Sequence, residues 1–133
     1  MSANYEYVEL PLETDDRGSL VYVEQSEHIP FNIKRVYYIY DVPESRVRGE
    51  HAHEDLEQVL IALSGRLDVI VDDGLARERV TLDQPHRGLY LPPMTWREME
   101  NFTPGTVCLV LASDYYDPDD YVHDYGQFQS IVE

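Results

Sequence analysis

Residues 58–74 read QVLIALSGRLDVIVDDG and contain two apolar stretches of strand length, at 59–63 and 67–71. The pair Ser64-Gly65 separates the two stretches, and Asp73-Gly74 follows the second one. Apolar side chains recur at every second position of the second stretch, which is the period of a half-buried strand. Because both glycine pairs are typical turn sequences, this region predicts a β-hairpin with a turn at each end.

Working outward, similar short apolar runs occur at residues 20–23, 36–40 and 107–112, the last of which reads as a fully buried strand. Pro92-Pro93 cannot lie inside a central strand, because neither residue has a backbone N–H to donate, and so marks a turn. Many short strands separated by Gly and Pro turns predict an all-β fold, a small β-barrel or jelly roll. A barrel of this size can hold one small ligand at its mouth.

The tail is the one segment that predicts a helix. Between residues 119 and 131, Tyr121, Tyr125 and Phe128 recur at i, i+4 and i+7, and acidic residues precede them. No linker or repeat divides the chain, so we expect one domain over residues 1–133 with a short C-terminal helical segment.

The charge balance excludes several partners. The 133 residues include 26 acidic and 10 basic side chains, giving a net charge of -16. This charge repels nucleic acid polymers and anionic membrane surfaces, so a phosphate-bearing ligand would need a local arginine cluster. Lys34 is the one lysine, and the acidic residues are scattered along the chain. Two interpretations stay open: adaptation to high salt, or an ordinary acidic protein with biased arginine usage.

The remaining composition predicts a cytoplasmic protein with no membrane association. No apolar run approaches the roughly 18 residues of a membrane span, and the N-terminal residues lack a secretory signal pattern. Cys108 cannot form an internal disulfide, which suits a reducing compartment, and its apolar neighbours indicate a core residue.

The densest group of reactive side chains is RGEHAH, residues 48–53. On a strand, His51 and His53 point to one face and Ala52 points to the other. Two imidazoles on the inner face of a barrel can bind a metal or move protons. A third interpretation is a pair of surface histidines in a polar loop.

The metal interpretation has partial support. H-x-H followed by Glu57 resembles the first metal motif of cupin barrels. A second motif would supply another histidine near residues 92–97, where Trp96 and Arg97 stand instead. A guanidinium has no lone pair to donate to a metal.

Nearly the whole chain resembles the nucleotide-sugar 3,4-ketoisomerases of the cupin superfamily. The resemblance rests on segments that occur in the same order, DRGSLV, IKRVYYIYDV, RGEHAH, LEQVLIALSG, VDDG, GLYLPPMTW and LVLASDYYDPDDYVHDY. It implies a jelly roll that converts a dTDP-4-keto-6-deoxy-hexose to its 3-keto isomer with no metal and no organic cofactor. It also implies a homodimer with N-terminal strand exchange, acting on the way to 3-amino sugars.

The resemblance and the reaction together assign candidate catalytic residues. Moving the ketone requires removal of the C3 proton, an enediol intermediate and protonation of C4, for which a histidine is well suited. We therefore expect His51 to abstract the proton and His53 to assist or to return one. Tyr37 is the favoured donor to the developing oxygen charge, with Arg48 as a second donor.

Other residues are candidates for substrate binding. Arg17, Arg48 and Arg97 are the candidate diphosphate ligands, although related enzymes often have histidine at the position of Arg97. Tyr90 and Trp96 are candidates for a wall against the thymine base and sugar, and Gln58 could orient a histidine or a sugar hydroxyl. The other histidines, His28, His86 and His123, and the acidic run at 114–124 are expected to be solvated.

Two alternative functions stay open from the sequence. A deoxysugar 3,5-epimerase would use the same barrel and would also remove a proton next to a ketone. A cupin that binds a sugar nucleotide or a metal without catalysis belongs to a different class, and proton exchange with solvent would distinguish it.

Overall fold

The computed structural model describes residues 4–133, which form two five-stranded antiparallel sheets, a separate hairpin and one short C-terminal helix. The first sheet has the strand order β1-β9-β6-β11-β4. Its strands are β1 (Glu6–Glu9), β4 (Arg35–Tyr40), β6 (Gln58–Ser64), β9 (Arg87–Leu91) and β11 (Val107–Ala112).

The second sheet has the order β12-β5-β10-β7-β8. Its strands are β5 (Arg48–His53), β7 (Leu67–Asp72), β8 (Arg77–Leu82), β10 (Trp96–Glu100) and β12 (Tyr121–Val122). Strands β2 (Leu12–Asp15) and β3 (Gly18–Val21) pair only with each other among the described strands.

The main hydrophobic core lies between the two sheets. Alternate residues of β6, among them Leu60 and Ala62, meet Val69 and Val71 of β7 across it, and Cys108 is buried there as predicted. The intervening side chains point to the outer faces, as the period of two requires. The arrangement confirms the predicted all-β jelly-roll fold.

The predicted hairpin at 58–74 is correct in its strands but not in their pairing. β6 pairs with β9 and β11, whereas β7 pairs with β8 and β10, so the two strands belong to different sheets. Gly65 in the connecting turn has a φ of +72°, and a Cβ there would collide with Thr106. The turn therefore links the two sheets at one end of the barrel.

The C-terminal segment is helical over a shorter range than predicted. A 3-10 turn (Pro118–Asp120) leads into β12, and the α-helix α1 covers only Tyr125–Val132. Asp124 begins α1, because its side chain accepts the backbone N–H of Gln127. The helical spacing of Tyr121 was misleading, since β12 pairs with β5 and places Tyr121 opposite His53. Across residues 4–133, helix length and hydropathy fall short of what a membrane span requires.

Two groups of apolar side chains remain exposed, one on edge strand β4 of the first sheet and one on the separate β2–β3 hairpin. Edge strand β4 leaves Val36, Tyr38 and Tyr40 between 54% and 63% exposed. The β2–β3 hairpin likewise exposes Leu12 and Leu20. Exposed apolar side chains on an edge strand are typical of a surface that another chain covers.

Candidate active site

Strand β5 places the two predicted histidines on the inner face of the second sheet. The His51 and His53 rings lie 4.8 Å apart between centroids and are nearly perpendicular. Ala52 points outward and is buried against Trp96 and Phe128. This confirms the geometric prediction that the two imidazoles share one face, and it excludes a pair of surface histidines in a loop.

His53 is held by a carboxylate from the C-terminal segment. Its side chain is 1% exposed, and its Nδ1 lies 3.1 Å from Oδ2 of Asp120. Burial and the nearby charge of Arg97 lower the pKa of His53 to about 2, so the ring is neutral at physiological pH. The Nε2 atom of His53 is buried and has no hydrogen-bond partner among the described residues.

His51 faces an open cavity of about 460 Å³. Burial, Arg97 and His123 lower its pKa to about 3, so it too is neutral and can accept a proton. The cavity is large enough for a sugar ring and opens to solvent. The residues that line it are Arg35, Val36, Tyr37, Ile39, Arg48, Gly49, His51, Met99 and Tyr121.

A chain of polar side chains crosses the barrel behind His51. Gln58 donates to the hydroxyl of Tyr37 over 2.9 Å and accepts a short hydrogen bond from Nη1 of Arg97. Arg97 is 2% exposed, and its Nε donates to the carbonyl of Thr95. Burial lowers the pKa of Arg97 to about 10, which leaves it charged at neutral pH. The chain thus fixes Tyr37 at the cavity wall beside a buried positive charge.

Two further arginines flank the cavity. The guanidinium of Arg35 lies 5.2 Å from the ring centroid of Tyr37 and 5.7 Å from that of Tyr116. Arg48 is exposed at the rim, next to Gly49, whose φ is +71°. This φ lies in the left-handed region that favours glycine, and a Cβ at this position would also press on Cε, the flexible end of the Met99 side chain.

Three predicted binding residues lie away from this cavity. Gln58 and Arg97 are buried behind its wall and do not line it, so the prediction of Arg97 as a direct diphosphate ligand is wrong. Trp96 points to the outer face, where Tyr125 and Phe128 contact its ring and Glu98 accepts its indole N–H. Because Trp96 and Arg97 are neighbours on one strand, they cannot both face the cavity.

Tyr90 also points outward, donating its hydroxyl to Glu57 and packing against Phe31. The same bond turns Glu57 away from the histidines, so it does not complete the metal motif that the H-x-H pattern indicated. Arg17 lies at the tip of the β2–β3 hairpin with 86% of its side chain exposed, paired with Asp15. Within a single chain, neither Tyr90 nor Arg17 reaches the cavity.

The sequence interpretation missed four residues of the site. Arg35 was overlooked beside Tyr37, although both lie on the inward-facing positions of β4. Asp120, Tyr121 and His123 belong to the run expected to be solvated. Asp120 and Tyr121 are partly buried instead, whereas His123 is exposed as expected but stacks on Tyr121 at 5.2 Å, and His51 lies within 5.9 Å of each ring centroid. The register of β12 on β5 was the missing information, because no local pattern reveals that pairing.

A two-sheet barrel with paired imidazoles facing its mouth is the architecture of a cupin-type protein. The chain belongs to the WxcM-like family, since the FdtA family model described as "WxcM-like, C-terminal" matches residues 3–133. It is 51% identical over 118 residues to the TDP-4-oxo-6-deoxy-alpha-D-glucose-3,4-oxoisomerase of Aneurinibacillus thermoaerophilus. That alignment covers 89% of this chain and 85% of the relative.

Solved structures agree with this assignment. The TDP-quinovose 3,4-ketoisomerase WlaRB of Campylobacter jejuni is 46% identical, with a TM-score of 0.92 and coverage of 96% of this chain and 98% of its own. A mutant of the 3,4-ketoisomerase QdtA of Thermoanaerobacterium thermosaccharolyticum, in complex with TDP-4-keto-6-deoxyglucose, is 39% identical. Its TM-score is 0.97, and the match covers 99% of this chain and 96% of that one.

A solved epimerase structure also matches this chain, but with lower identity and a lower TM-score than the ketoisomerases. ChmJ, a 3'-monoepimerase of Streptomyces bikiniensis, is 18% identical with a TM-score of 0.78, and the match covers 91% of this chain and 69% of ChmJ. An identity this low shows a shared fold alone.

Proposed function

We propose that this protein is a 3,4-ketoisomerase that interconverts a TDP-4-keto-6-deoxy-hexose and its 3-keto isomer. The observation that carries the proposal is the pair of neutral imidazoles, with His51 lining a cavity that Tyr37 also lines and His53 buried directly beside His51. The Aneurinibacillus relative is named for TDP-4-oxo-6-deoxyglucose and the QdtA structure holds TDP-4-keto-6-deoxyglucose, which supports the choice of substrate.

The reaction can be written with these groups. His51 faces the cavity and takes the C3 proton, and the electron pair of that bond forms the C3–C4 double bond as the C4 oxygen gains negative charge. Tyr37, fixed by Gln58, and Arg48 are the donors that stabilise this oxygen. The C4 oxygen then takes up the proton that the C3 hydroxyl loses, so that O4 becomes a hydroxyl and O3 the new ketone. The electron pair of the C3–C4 double bond takes a proton from protonated His51 at C4. We propose that His53 assists the proton transfers from behind His51.

Arginines supply the positive charge that the diphosphate requires. Arg48 and Arg35 line the cavity directly, whereas Arg97 is buried behind it and acts on the site through its charge and through Gln58. Against a net charge of -16, this local cluster is what would attract an anionic ligand. We expect activity to persist after chelation, because the proposed steps use protein groups alone.

A homodimer with strand exchange is part of the proposal. Edge strand β4 exposes Tyr38 (63%) and Tyr40 (61%), and the β2–β3 hairpin pairs with neither large sheet. A second copy of the chain would cover both surfaces. It would also give Arg17 a route to a diphosphate, in the partner's cavity rather than its own.

Analytical ultracentrifugation tests the dimer. The double variant Tyr38→Glu/Tyr40→Glu should sediment as a monomer, because two charges on the covered face oppose association. Leu75→Glu is the control, since Leu75 is 81% exposed in a turn remote from β4 and should leave the dimer intact. A monomeric wild-type protein would contradict this part of the proposal.

Salt adaptation and a reducing, cytoplasmic setting complete the proposal. They rest on the scattered acidic charge and on the single free cysteine, Cys108. Unfolding at low and at molar salt tests the first point, and equal stability under both conditions would contradict it.

The deciding experiment is proton NMR of the protein with TDP-4-keto-6-deoxyglucose in deuterated water at high salt, after chelation. We expect a 3-keto product that carries deuterium, and the coupling at C4 will distinguish the gluco from the galacto configuration. Exchange at C3 and C5 with the ketone still at C4 would indicate an epimerase. Tight binding without any exchange would indicate a non-catalytic binding protein.

A further inference from the structure

Asp120 makes contacts that a solvated turn residue would not make. One carboxylate oxygen, Oδ2, accepts from the ring of His53 and from the backbone N–H of Leu56, at 3.1 and 3.3 Å. The other oxygen, Oδ1, accepts from the backbone N–H of Asp55 at 2.9 Å. Its side chain is only 14% exposed. A carboxylate 67 residues away in sequence is thus fixed on one nitrogen of a buried histidine.

The contact fixes which nitrogen of His53 carries the hydrogen. A carboxylate can only accept, so the neutral ring must donate through Nδ1–H, and the lone pair is then on Nε2. That Nε2 atom is buried and has no partner in residues 4–133, so its lone pair is free to accept a proton passed on by the neighbouring His51. Within the same residues, His53 is the one member of the histidine pair with a carboxylate on its ring.

Charge explains why such a carboxylate matters here. Arg97 and Arg35 both oppose a second proton on His53. A negative group on the far side of the ring offsets this repulsion at the moment when the ring accepts a proton. Without it, the ring could also adopt the other tautomer, with Nε2–H and no acceptor facing the site.

We propose that Asp120 is a positioning residue for the isomerase reaction, holding His53 as the Nδ1–H tautomer with an Nε2 lone pair and stabilising its protonated form. The inference rests on the proposed function and assigns this role to Asp120 alone among the residues of the 3-10 turn. His51 is then the mobile base at the cavity, and His53 with Asp120 is the fixed pair behind it.

The test is Asp120→Asn, with Asp119→Asn as the matched control. Asp119 lies exposed in the same 3-10 turn, and its substitution removes the same charge. An amide at 120 keeps one oxygen for the N–H of Asp55 but can present NH₂ to Nδ1 of His53, which favours the wrong tautomer of the ring and leaves the N–H of Leu56 without its acceptor. We expect kcat to fall roughly a hundredfold or more with KM within about threefold, whereas the control keeps both constants.

A spectroscopic readout separates positioning from folding. The ¹⁵N shifts of the His53 ring, measured in the protein labelled at histidine, should report Nδ1–H in the wild type and a loss of that tautomer in Asp120→Asn. In a His53→Asn background, adding Asp120→Asn should cost little further activity, because Asp120 acts through His53.

Several outcomes would overturn the inference. A kcat for Asp120→Asn within threefold of wild type, an unchanged His53 tautomer, or full additivity with His53→Asn would each reduce Asp120 to an anchor of the 54–57 loop. Failure of the proposed function gives a different result, since the wild type would then form no 3-keto product. The ring spectra need no turnover and would still show whether Asp120 fixes the tautomer.

Discussion

On the outer face of the second sheet, the buried carboxylate of Asp72 accepts hydrogen bonds from Tyr125, Arg77 and the N–H of Gly74. On the inner face of the same sheet, the buried guanidinium of Arg97 has no carboxylate partner among residues 4–133 and leaves Nη2 without a hydrogen bond. Asp72 and Arg97 lie on neighbouring strands of the same sheet, and their side chains point to opposite faces of it. The outer face therefore balances its charges, and the inner face does not.

Three of the four described residues with unpartnered buried polar atoms belong to the candidate site. In residues 4–133 the buried side-chain polar atoms without a partner belong to Arg35, His53, Thr95 and Arg97. Unsatisfied buried groups cost stability, so their grouping at one place indicates a site prepared for a ligand that would satisfy them. The outer face, by contrast, supports α1 through the ring contacts of Trp96 with Phe128.

The largest expected effect falls on the inner face. His51→Asn should lower kcat roughly a thousandfold, because the variant loses the base that faces the cavity, while affinity for TDP changes little. Turnover by NMR and binding by calorimetry measure the two quantities. His86→Asn is the control, being remote from the cavity. Near-normal turnover of His51→Asn would remove this residue from the mechanism.

The next effect falls on the outer face and on stability alone. Phe128 is fully buried under the second sheet, so Phe128→Ala should lower the free energy of unfolding by about 3–5 kcal/mol, with kcat of the folded protein within tenfold. Urea unfolding measures this, and Ile131→Ala, at a residue 44% exposed, should change it by less than about 0.5 kcal/mol. A folded but inactive Phe128→Ala protein would show that the two faces are coupled.

Polar substitutions on the two faces should have opposite signs. Asp72→Asn should destabilise the protein by about 1–3 kcal/mol, because it weakens a satisfied buried network. The double variant Arg97→Met/Gln58→Leu should be as stable as the wild type or more so, since it replaces an unpaired buried charge and its acceptor with apolar side chains. It should also lose activity. Thermal unfolding measures the stability of both variants relative to the wild type. A strongly destabilised double variant would contradict the contrast between the faces.

Local patterns account for what could be predicted from the sequence. The strands β6 and β7, the Gly65 turn and the shared face of His51 and His53 each follow from a period of two or a turn sequence. The placement of Trp96 could have been corrected from the same rule, because its neighbour Arg97 must point the other way. The local sequence could not predict that β6 and β7 belong to different sheets, because a tight turn can join two strands of one sheet or strands of two sheets.

Long-range register accounts for the rest. Asp120 reaches His53 only because β12 pairs with β5, and a two-residue strand leaves no periodic signal. Tyr121 fitted a helical spacing equally well, so sequence alone favoured the wrong element. Arg35 is different, because it lies two residues before Tyr37 on β4 and therefore points to the same face of the strand. It could have been identified from the prediction for Tyr37.

The smallest expected effect is a pH dependence that separates the two faces. The folded pKa values of His51 and His53 are lowered to about 3 and about 2, against 6.5 for the ordinary group. Below pH 6.5 these two histidines therefore bind protons in the unfolded chain but stay neutral in the folded protein. The free energy of unfolding falls as the pH falls. At pH 5.5 each histidine should cost about 1.4 kcal/mol relative to pH 7.5. The outer carboxylates of Asp68 and Asp72 have lowered pKa values, so their contribution is lost only at pH values below about 3.8.

Denaturant unfolding at pH 7.5 and 5.5, at constant ionic strength, measures this difference for the wild type, His51→Asn and His53→Asn. In each variant the free energy of unfolding should change between the two pH values by about 1.4 kcal/mol less than in the wild type, whatever the absolute stability. The reason is that the unfolded variant lacks one of the two histidines that take up a proton in this range. Asp72→Asn should keep the full wild-type difference between these pH values, since a carboxylate of lowered pKa does not titrate there. If both histidine variants show the same change in the free energy of unfolding as the wild type, His51 and His53 take up protons as readily in the folded protein as in the unfolded chain. The contrast between the two faces would then be wrong.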